Sequence, residues 1–365
     1  MHIARAVARG VLMLVLVGGC AAAGPSGTAV TSPAAIATAV AAKPAAGPIV
    51  TQLPSGLDLG AMVDERLAFD DHDGAGVLNL DTGDLSRLPA PPEGLVFRPT
   101  GIAGNIISGE TSGWLLSDPG AVRASAYDLA AGDWIDIAAR LPPGDVSATF
   151  GTDGASVIGE DFGGPGATGK AKPFIYDVAT GSLTDMAPMP DGELPFPLAI
   201  DGGHIVGGDG GTGPGEGFVY DQATGRYTML ADAAGTHAVT AAAIDGNTVV
   251  GTFRTKVGGL DRPFAYDIAA GTFTDLGPSK SLAVGVSGRL VIISASEGFT
   301  GWLRDLDSGA ALSLAKLPDP ATPGATISVD PRLISGRRII GRVAPPTNQA
   351  TTPFRVVVVD LGPGA

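Results

Sequence analysis

The sequence predicts an all-β fold, a seven-bladed β-propeller of four-stranded antiparallel blades that is closed by an N-terminal strand in the last blade. Three observations lead to this prediction. A hairpin motif recurs along the chain, a second strand motif precedes each copy, and the last repeat ends without a fourth strand. A strand-built period of about 40 to 50 residues is typical of propeller blades.

The hairpin motif is clearest in residues 263–276, PFAYDIAAGTFTDL, with related copies at 125–137, 173–186 and 217–230. Aromatic and β-branched residues flank an Asp-x-x-x-Gly segment, whose small residues suit a tight turn between two strands. In all seven repeats a Gly stands four residues after an anchoring Asp or Asn. The anchors are Asn79, Asp128, Asp177, Asp221, Asp267, Asp305 and Asp360, followed by Gly83, Gly132, Gly181, Gly225, Gly271, Gly309 and Gly364.

The second motif, Ala-x-Ile-Asp-Gly-x-x-Val-Val-Gly, is clearest at 242–251 and 198–207. It predicts a strand of small residues, a short turn and a β-branched strand, so the two motifs together supply the four strands of one blade. Small residues suit the innermost strands, which converge on the central channel. We expect aromatic residues such as Phe264 and Tyr266 to fill the core between blades rather than to form a ligand cage.

The two ends of the chain predict how the ring closes. The last repeat has no fourth strand, whereas residues 49–53 have the composition of an isolated fourth strand. We expect this segment to complete the last blade and hide the sheet edges. Six blades are the alternative if the first repeat is irregular. The predicted blades are 58–88, 99–138, 147–187, 197–231, 239–277, 282–315, and 328–361 joined by 49–53.

The repeat resembles a known family. Small-x-Ile-(Asn/Asp)-x-Gly-x-Val-Val-Gly followed by (Ala/Pro)-Phe-x-Tyr and Thr-Asp-Leu is similar to the HAF-type extracellular repeat of exported bacterial proteins, and the likeness covers residues 99–277. This chain departs from the pattern in carrying Asp or Ser where Asn is usual. The resemblance implies an exported protein, and it brings no catalytic residues.

The N-terminal residues predict where in the cell the protein is located. Residues 1–19 have basic residues, a short apolar run and small residues before Cys20, which is typical of a secretory signal peptide. The junction resembles the lipobox of bacterial lipoproteins, so we expect Cys20 to carry acyl chains such as palmitate; an ordinary leader is the alternative. Residues 20–46 predict a disordered Ala/Pro/Gly-rich tether, and 47–365 the propeller domain. The expected location is the outer face of the bacterial cell membrane or the outer membrane.

Charge and motifs exclude several partners. The chain has 37 acidic and 23 basic residues and a net charge of −14, which repels nucleic-acid backbones. Residues 164–170 imitate a phosphate-binding loop, but Ala171 stands where a hydroxyl is needed and a strand is predicted next. We therefore expect no nucleic acid, nucleotide or other cofactor.

Candidate site residues fall on the face that carries the loops between strands 2 and 3 and between blades, because these loops are long and irregular. Asp161, Asp209 and Asp261 lie there, and replacing them together is expected to weaken ligand capture. The densest polar cluster is Asp70, Asp71, His72 and Asp73; it lacks the spacing of a calcium loop, so a solvated acidic loop is favoured over a metal site. If the chain is an enzyme, the first candidates for acids are Asp70, Glu110 and Glu160, each just after a second strand.

Two functions stay open at this point. The first is a lipid-anchored binding module that presents its variable loops to a protein or glycan partner. The second is a cell-envelope hydrolase or lyase with acidic residues at the channel mouth. No Gly-x-Ser-x-Gly nucleophile motif is present, which favours the binding module.

Overall fold

The computed structural model describes residues 48–113, 122–164, 171–209, 215–236, 238–255, 259–296, 299–343 and 354–362. Within these ranges the chain forms seven four-stranded antiparallel sheets, which are the blades of a β-propeller, and one two-stranded ribbon. The predicted all-β, seven-bladed fold is confirmed. No helix in the same ranges is long and apolar enough to cross a membrane.

The blades are numbered along the chain, and the strands carry one continuous numbering. The first strand is β1 Ile49–Gln52; blade 1 contains β2 Asp58–Val63, β3 Arg66–Asp71, β4 Gly74–Asn79 and β5 Leu85–Arg87; blade 2 contains β6 Val96–Ala103, β7 Ile106–Ser112, β8 Arg123–Asp128 and β9 Asp133–Asp136. Blade 3 contains β10 Val146–Thr152, β11 Ser156–Gly163, β12 Lys172–Asp177 and β13 Leu183–Asp185; blade 4 contains β14 Pro195–Asp201, β15 His204–Asp209, β16 Phe218–Asp221 and β17 Arg226–Met229; blade 5 contains β18 Ala238–Asp245, β19 Thr248–Arg254, β20 Arg262–Asp267 and β21 Thr272–Asp275. Blade 6 contains β22 Ser281–Ser287, β23 Leu290–Ala295, β24 Gly301–Asp305 and β25 Ala311–Ser313; the ribbon contains β26 Leu317–Pro318 and β27 Thr326–Ile327; blade 7 contains β28 Val329–Ser335, β29 Arg338–Val343 and β30 Arg355–Asp360.

The blades surround a common axis. In blades 1 to 6 the four strands follow one another in sequence across the sheet, whereas the order in blade 7 is β28, β29, β30 and then β1. Ile49 of β1 lies opposite Asp360 of β30. The first strands of successive blades contact each other, and β2 contacts β28. Leu67 and Phe69 of blade 1 pack in one cluster with Ile340 and Val358 of blade 7, so apolar packing joins the last blade to the first.

The repeated Asp-x-x-x-Gly segment forms the turn between the third and fourth strands. In blade 3 the Asp177 carboxylate accepts a hydrogen bond of 2.8 Å from the Thr180 N–H, and the Gly181 N–H donates to the Asp177 carbonyl over 2.9 Å. Gly181 has φ +67°, a conformation that disfavours side chains with a Cβ. The turn therefore requires both repeated residues. In the last repeat Gly364 lies outside the described residues, and Gly362 adopts φ +65° instead.

The Gly that ends the Val-Val-Gly motif has a packing role. A Cβ built on Gly251 would lie 2.0 Å from the Thr240 carbonyl oxygen and 3.0 Å from the Phe264 ring. Phe264 is the cross-strand partner of Gly251, so the missing side chain makes room for the ring. Blade 1 reverses this pair, with Phe69 on the second strand opposite Gly76 on the third.

Apolar side chains between neighbouring blades form the core. Phe264 has no exposed surface and Tyr266 is 6% exposed, and both pack with Val206 and Val219 of blade 4. The prediction that these aromatic residues are core is confirmed. Burial of aromatic rings on this scale dominates the energetics of a core.

Four short elements were not predicted. Helix α1, Leu230–Ala234, connects blades 4 and 5, and 3-10 turns occur at Pro92–Gly94 and Ile137–Arg140. The link between blades 6 and 7, expected as a loop, contains the ribbon of β26 and β27. Two-residue strands and single helical turns are too short to show a hydrophobic period, which explains why the sequence pattern missed them.

Candidate functional site at the channel mouth

The innermost strand of every blade has a β-bulge at the same place. The register of each first strand shifts by one residue against its second strand, and a bulge turns its extra side chain away from the regular alternation. All seven bulged residues are half-buried. Because the first strands surround the axis, we assign these residues to the channel lining. They are Gly60, Thr100, Phe150, Leu198, Ala242, Val284 and Arg332.

Two residues before each bulged residue, the first strand lies at the face of the propeller that carries the long loops. Each first-strand residue here pairs with a residue near the end of the second strand, and together the seven pairs form what we call the mouth. The pairs are Asp58 with Asp70, Arg98 with Glu110, Ala148 with Glu160, Phe196 with Gly208, Thr240 with Thr252, Leu282 with Ser294, and Asp330 with Arg342.

Blades 6, 7 and 1 are joined at the mouth by polar contacts. The Ser294 hydroxyl donates to the Asp330 carboxylate over 2.6 Å, and Asp330 also pairs with Arg332 of the channel lining. Arg342 reaches across to Asp58 of blade 1, with 3.5 Å between Nη2 and Oδ1. Burial, followed by the nearby Arg332 guanidinium, lowers the pKa of Arg342. A series of polar and charged contacts thus begins at Ser294 of blade 6 and ends at Asp58 of blade 1.

The same series continues into blade 2 through Arg98. Burial, reinforced by the Asp58 carboxylate and opposed by the Arg98 guanidinium, raises the pKa of Asp70 to about 7. Burial likewise raises the pKa of Glu110 to about 7, again opposed by Arg98. Arg98 is held by a hydrogen bond of 2.6 Å from Nη1 to the Ser112 hydroxyl. The positive charge of Arg98 therefore stabilises the ionised form of two carboxyl groups on adjacent blades, Asp70 and Glu110.

Glu160 of blade 3 has a different environment. Its side chain is 3% exposed, and burial alone raises its pKa to about 8. It makes no hydrogen bond or ion pair with any residue in the described part of the chain. The carboxyl oxygens of Glu160 nevertheless keep a small area in contact with solvent. A buried carboxyl group without a partner is costly, so such groups are rare outside functional sites.

The opposite side of the mouth and the adjoining channel lining carry several apolar residues. The rings of Phe150 and Phe196 are 5.1 Å apart, one from blade 3 and one from blade 4. Leu198, Leu282 and Val284 continue this side along the first strands of blades 4 and 6, and all are half-buried. The mouth is therefore charged on blades 7, 1 and 2 and uncharged on blades 4 to 6, where apolar residues alternate with Thr240, Thr252 and Ser294. Glu160 of blade 3 lies at the boundary.

Exposed apolar residues stand above the mouth in the loops between second and third strands. Leu260 is 52% exposed in blade 5, and Phe299 is 45% exposed in blade 6. Phe299 lies 5.3 Å from the ring of Phe354, which in turn lies 5.8 Å from the Arg342 guanidinium. These loop residues extend the apolar side outward and join it to the charged side at Arg342.

The acidic cluster of blade 1 was expected in the loop after the second strand, but Asp70 and Asp71 are the last residues of that strand, and the cluster divides into two parts. Asp70 belongs to the mouth. Asp71 instead takes two hydrogen bonds from Arg87, of 2.7 and 2.8 Å, and Asp73 lies 3.9 Å from the same guanidinium. His72 is exposed. In the ranges that the structure describes, no three His, Cys, Asp or Glu side chains are grouped to hold a metal ion.

The remaining predicted acids are not brought together. Asp161 is 6% exposed and accepts a hydrogen bond of 2.8 Å from the Gly163 N–H, and burial, with Asp145 close by, raises its pKa. Asp261 pairs with Arg254 of its own blade over 2.5 Å. Asp209 ends the second strand of blade 4. These three residues lie in blades 3, 4 and 5, one in each.

Sequence reasoning found three of the five acids of the mouth, Asp70, Glu110 and Glu160. It missed Asp58, Asp330 and the basic residues that lie beside the acids. Arg98, Arg342 and Arg332 were overlooked because no motif marks them. An alignment of the repeats would have found Arg342, since it occupies the position of Glu110 and Glu160 in the last repeat.

Several predicted features lie outside the described residues. They include the signal peptide, Cys20, the tether and residues 165–170 of the phosphate-loop imitation. The element that follows this imitation is strand β12, beginning at Lys172, as expected.

Comparison with known proteins supports the architecture. The β-propeller domain of the Trilobed protease from Pyrococcus furiosus is similar over 85% of this chain and 94% of its own, with 10% identity and a TM-score of 0.53. The Pyrococcus horikoshii acylaminoacyl peptidase is similar over 84% of this chain and 51% of its own, with 12% identity and a TM-score of 0.54. A Mycobacterium tuberculosis puromycin-hydrolyzing peptidase is similar over 86% of this chain and 55% of its own, with 14% identity and a TM-score of 0.51. This chain spans about half the length of the two peptidases. At such low identity the likeness shows the fold alone.

No family model and no curated protein matches the chain. The resemblance to HAF-type repeats and to lipoproteins therefore stays a prediction. The comparisons place the chain among β-propellers.

Proposed function

We propose that this protein is a binding module, anchored by lipid outside the cytoplasm, which captures a protein or glycan partner at the mouth of its channel. The observation that supports this most strongly is the division of the mouth into a charged side and an uncharged side that is rich in apolar residues. The buried carboxyl group of Glu160 lies between them and has no partner among the described residues. Recognition surfaces combine apolar contact area with a few placed polar groups in this way.

The path of the chain into the propeller suits an anchored module. Strand β1 runs antiparallel to β30, and Ile49 lies opposite Asp360, where β30 ends on the face of the short turns. Pro48 therefore enters at the face opposite the mouth. Under the proposal, acyl chains on Cys20 attach the protein to the outer face of the bacterial cell membrane or the outer membrane. The mouth is then on the side of the propeller away from its attachment.

A cell-envelope hydrolase or lyase is the second candidate. Asp70, Glu110 and Glu160 have pKa values raised by burial to about 7, 7 and 8. Carboxyl groups that are protonated near neutral pH are suited to donate a proton to a leaving group. This candidate requires that a polysaccharide or peptide be cleaved and that a Gln substitution at one of the Glu residues stop the cleavage.

Capture from the cell envelope tests the proposal. The full chain would be used as bait, in parallel with the double variant Glu110→Gln/Glu160→Gln and with Asp133→Asn, which removes an exposed carboxylate at the opposite face. We expect a partner that the wild type and Asp133→Asn retain and the double variant loses. Equal capture by all three proteins would show that the mouth is not the binding site.

A further inference from the structure

The carboxyl group of Glu160 points to the chemistry of the ligand. Side chains along β11 alternate between the two faces of blade 3, and Ile158 packs against Ile200, Ile205 and Phe218 of blade 4. Glu160, two residues further on, is directed into the same gap between blades 3 and 4. The equivalent residue of blade 4 is Gly208, which faces Thr240 of blade 5 and carries no carboxyl group.

Aromatic side chains border this gap. Phe150 packs on the cluster that contains Ile158, and its ring lies 5.1 Å from that of Phe196 in blade 4. The gap that Glu160 faces therefore has an apolar wall, and burial is the cause of the raised pKa of Glu160. A ligand group that occupies this place must present an apolar stem to the wall and a hydrogen-bond donor to the carboxyl oxygens.

We propose that the mouth binds a basic side chain, lysine or arginine, of a protein partner. This inference rests on the proposed binding function and specifies its ligand. The ammonium or guanidinium group pairs with the Glu160 carboxylate, while the methylene stem covers the Phe150 and Phe196 rings. Cations are also attracted to aromatic faces, so the wall contributes to selection of a basic residue.

The charges around the mouth agree with a cationic ligand. Asp70, Glu110 and Glu160 occupy the same position on three consecutive blades, and Glu160 lacks the neighbouring guanidinium that Arg98 provides for the other two. The chain as a whole carries a net charge of −14, which attracts cations and repels anions over longer distances. A buried ion pair forms favourably only when both partners are present, so the ligand supplies what Glu160 lacks.

Two matched probes test the proposal by titration calorimetry on the full chain. Acetyl-Phe-Lys-amide carries one cation, and acetyl-Phe-norleucine-amide has nearly the same shape without it. We expect the lysine probe to bind at least about tenfold more tightly, a difference typical of one charge-assisted contact. Glu160→Gln should remove this preference, because the amide cannot form the ion pair. Asp133→Asn should leave it unchanged.

The outcomes separate this inference from the proposed function. Equal binding of both probes, reduced together by Phe150→Ala, would show an apolar binding site and overturn the cationic ligand while leaving the binding function intact. Binding of chitotetraose, a neutral glycan, in place of the lysine probe would overturn it in favour of a glycan. If no probe binds, the basic side chain is rejected, and the capture experiment alone decides the binding function. Glu160→Gln is nearly isosteric, so its melting temperature should match or exceed that of the wild type, which distinguishes lost binding from lost folding.

Discussion

The Asp245 carboxylate of blade 5 accepts a hydrogen bond of 2.6 Å from the backbone N–H of Gly288 in blade 6. The same contact joins blade 3 to blade 4 and blade 4 to blade 5, and a Ser hydroxyl replaces the carboxylate at two further junctions. The series comprises Asp153 to Gly203, Asp201 to Gly246, Asp245 to Gly288, Ser287 to Gly336, and Ser335 to Asp64. The Asp of the Ile-Asp-Gly motif thus forms a hydrogen bond to the next blade and is not part of a ligand site.

Removing one of these contacts tests its contribution to stability. Asp245→Ala leaves the Gly288 N–H without its protein acceptor, so we expect a loss of about 1 kcal/mol in the free energy of unfolding. Urea denaturation measures the change. Asp307→Ala is the control, because its ion pair with Arg289 is exposed and should contribute less than about 0.5 kcal/mol. Equal effects of the two substitutions would contradict the assigned role.

The Val-Val-Gly glycine provides a second test. A Cβ at Gly251 would lie 2.0 Å from the Thr240 carbonyl oxygen, which cannot move without breaking the pairing of β18 and β19. We expect Gly251→Ala to cost about 3 kcal/mol or more, as overpacked core positions do. A Cβ at Gly113 would meet no heavy atom within 4 Å, and its φ is not positive, so Gly113→Ala should be nearly neutral. Thermal unfolding of both variants compares them directly.

The raised pKa of Glu160 predicts how stability depends on pH. The carboxyl group has an ordinary pKa of 4.5 in the unfolded chain and about 8 in the folded protein. Between these values the folded state holds a proton that the unfolded state has lost, so stability falls as pH rises through this window. The full effect is on the order of 4 kcal/mol.

Urea denaturation at about pH 5 and about pH 9 measures this effect. The wild type should lose considerably more stability over the interval than Glu160→Gln, whose amide does not titrate. Asp70 and Glu110 have raised pKa values as well, so the variant should retain part of the slope. Parallel profiles for the two proteins would show that Glu160 ionises normally in the folded state.

Acylation of Cys20 is a separate prediction. Cells that express the full chain should incorporate labelled palmitate into it, and the protein should fractionate with membranes. Cys20→Ser should abolish the label and release the protein, since one cysteine supplies the only thiol in the sequence. Ser26→Ala, in the adjoining segment, is the control. Label that persists in Cys20→Ser would exclude the lipid anchor.

Much of the architecture could be predicted because the repeats are local. Turn residues such as Asp177 and Gly181 act within five positions of each other, so their pattern predicts each hairpin. The predicted blade limits agree with the strands within a few residues; blade 5, expected at 239–277, spans Ala238 to Asp275.

The site was only partly predictable because its contacts cross between blades. Asp70, Glu110 and Glu160 were expected just after the second strands and instead lie within their last residues, so sequence alone placed them at one face. The contact of Arg342 with Asp58 joins the last blade to the first, and no local pattern predicts it. Asp161 and Asp209 lie at the ends of second strands and Asp261 in a loop, each in its own blade.

The ionisation of Glu160, followed by carbon-13 NMR of its carboxyl group in the full chain, tests the central claim that the mouth is a site for a basic ligand. We predict that the free protein titrates with a pKa of about 8. With saturating acetyl-Phe-Lys-amide, the pKa should fall to the ordinary range or below, because the ammonium group stabilises the carboxylate. A Glu160 that titrates normally in the free protein, or whose titration the probe leaves unchanged, would contradict the claim.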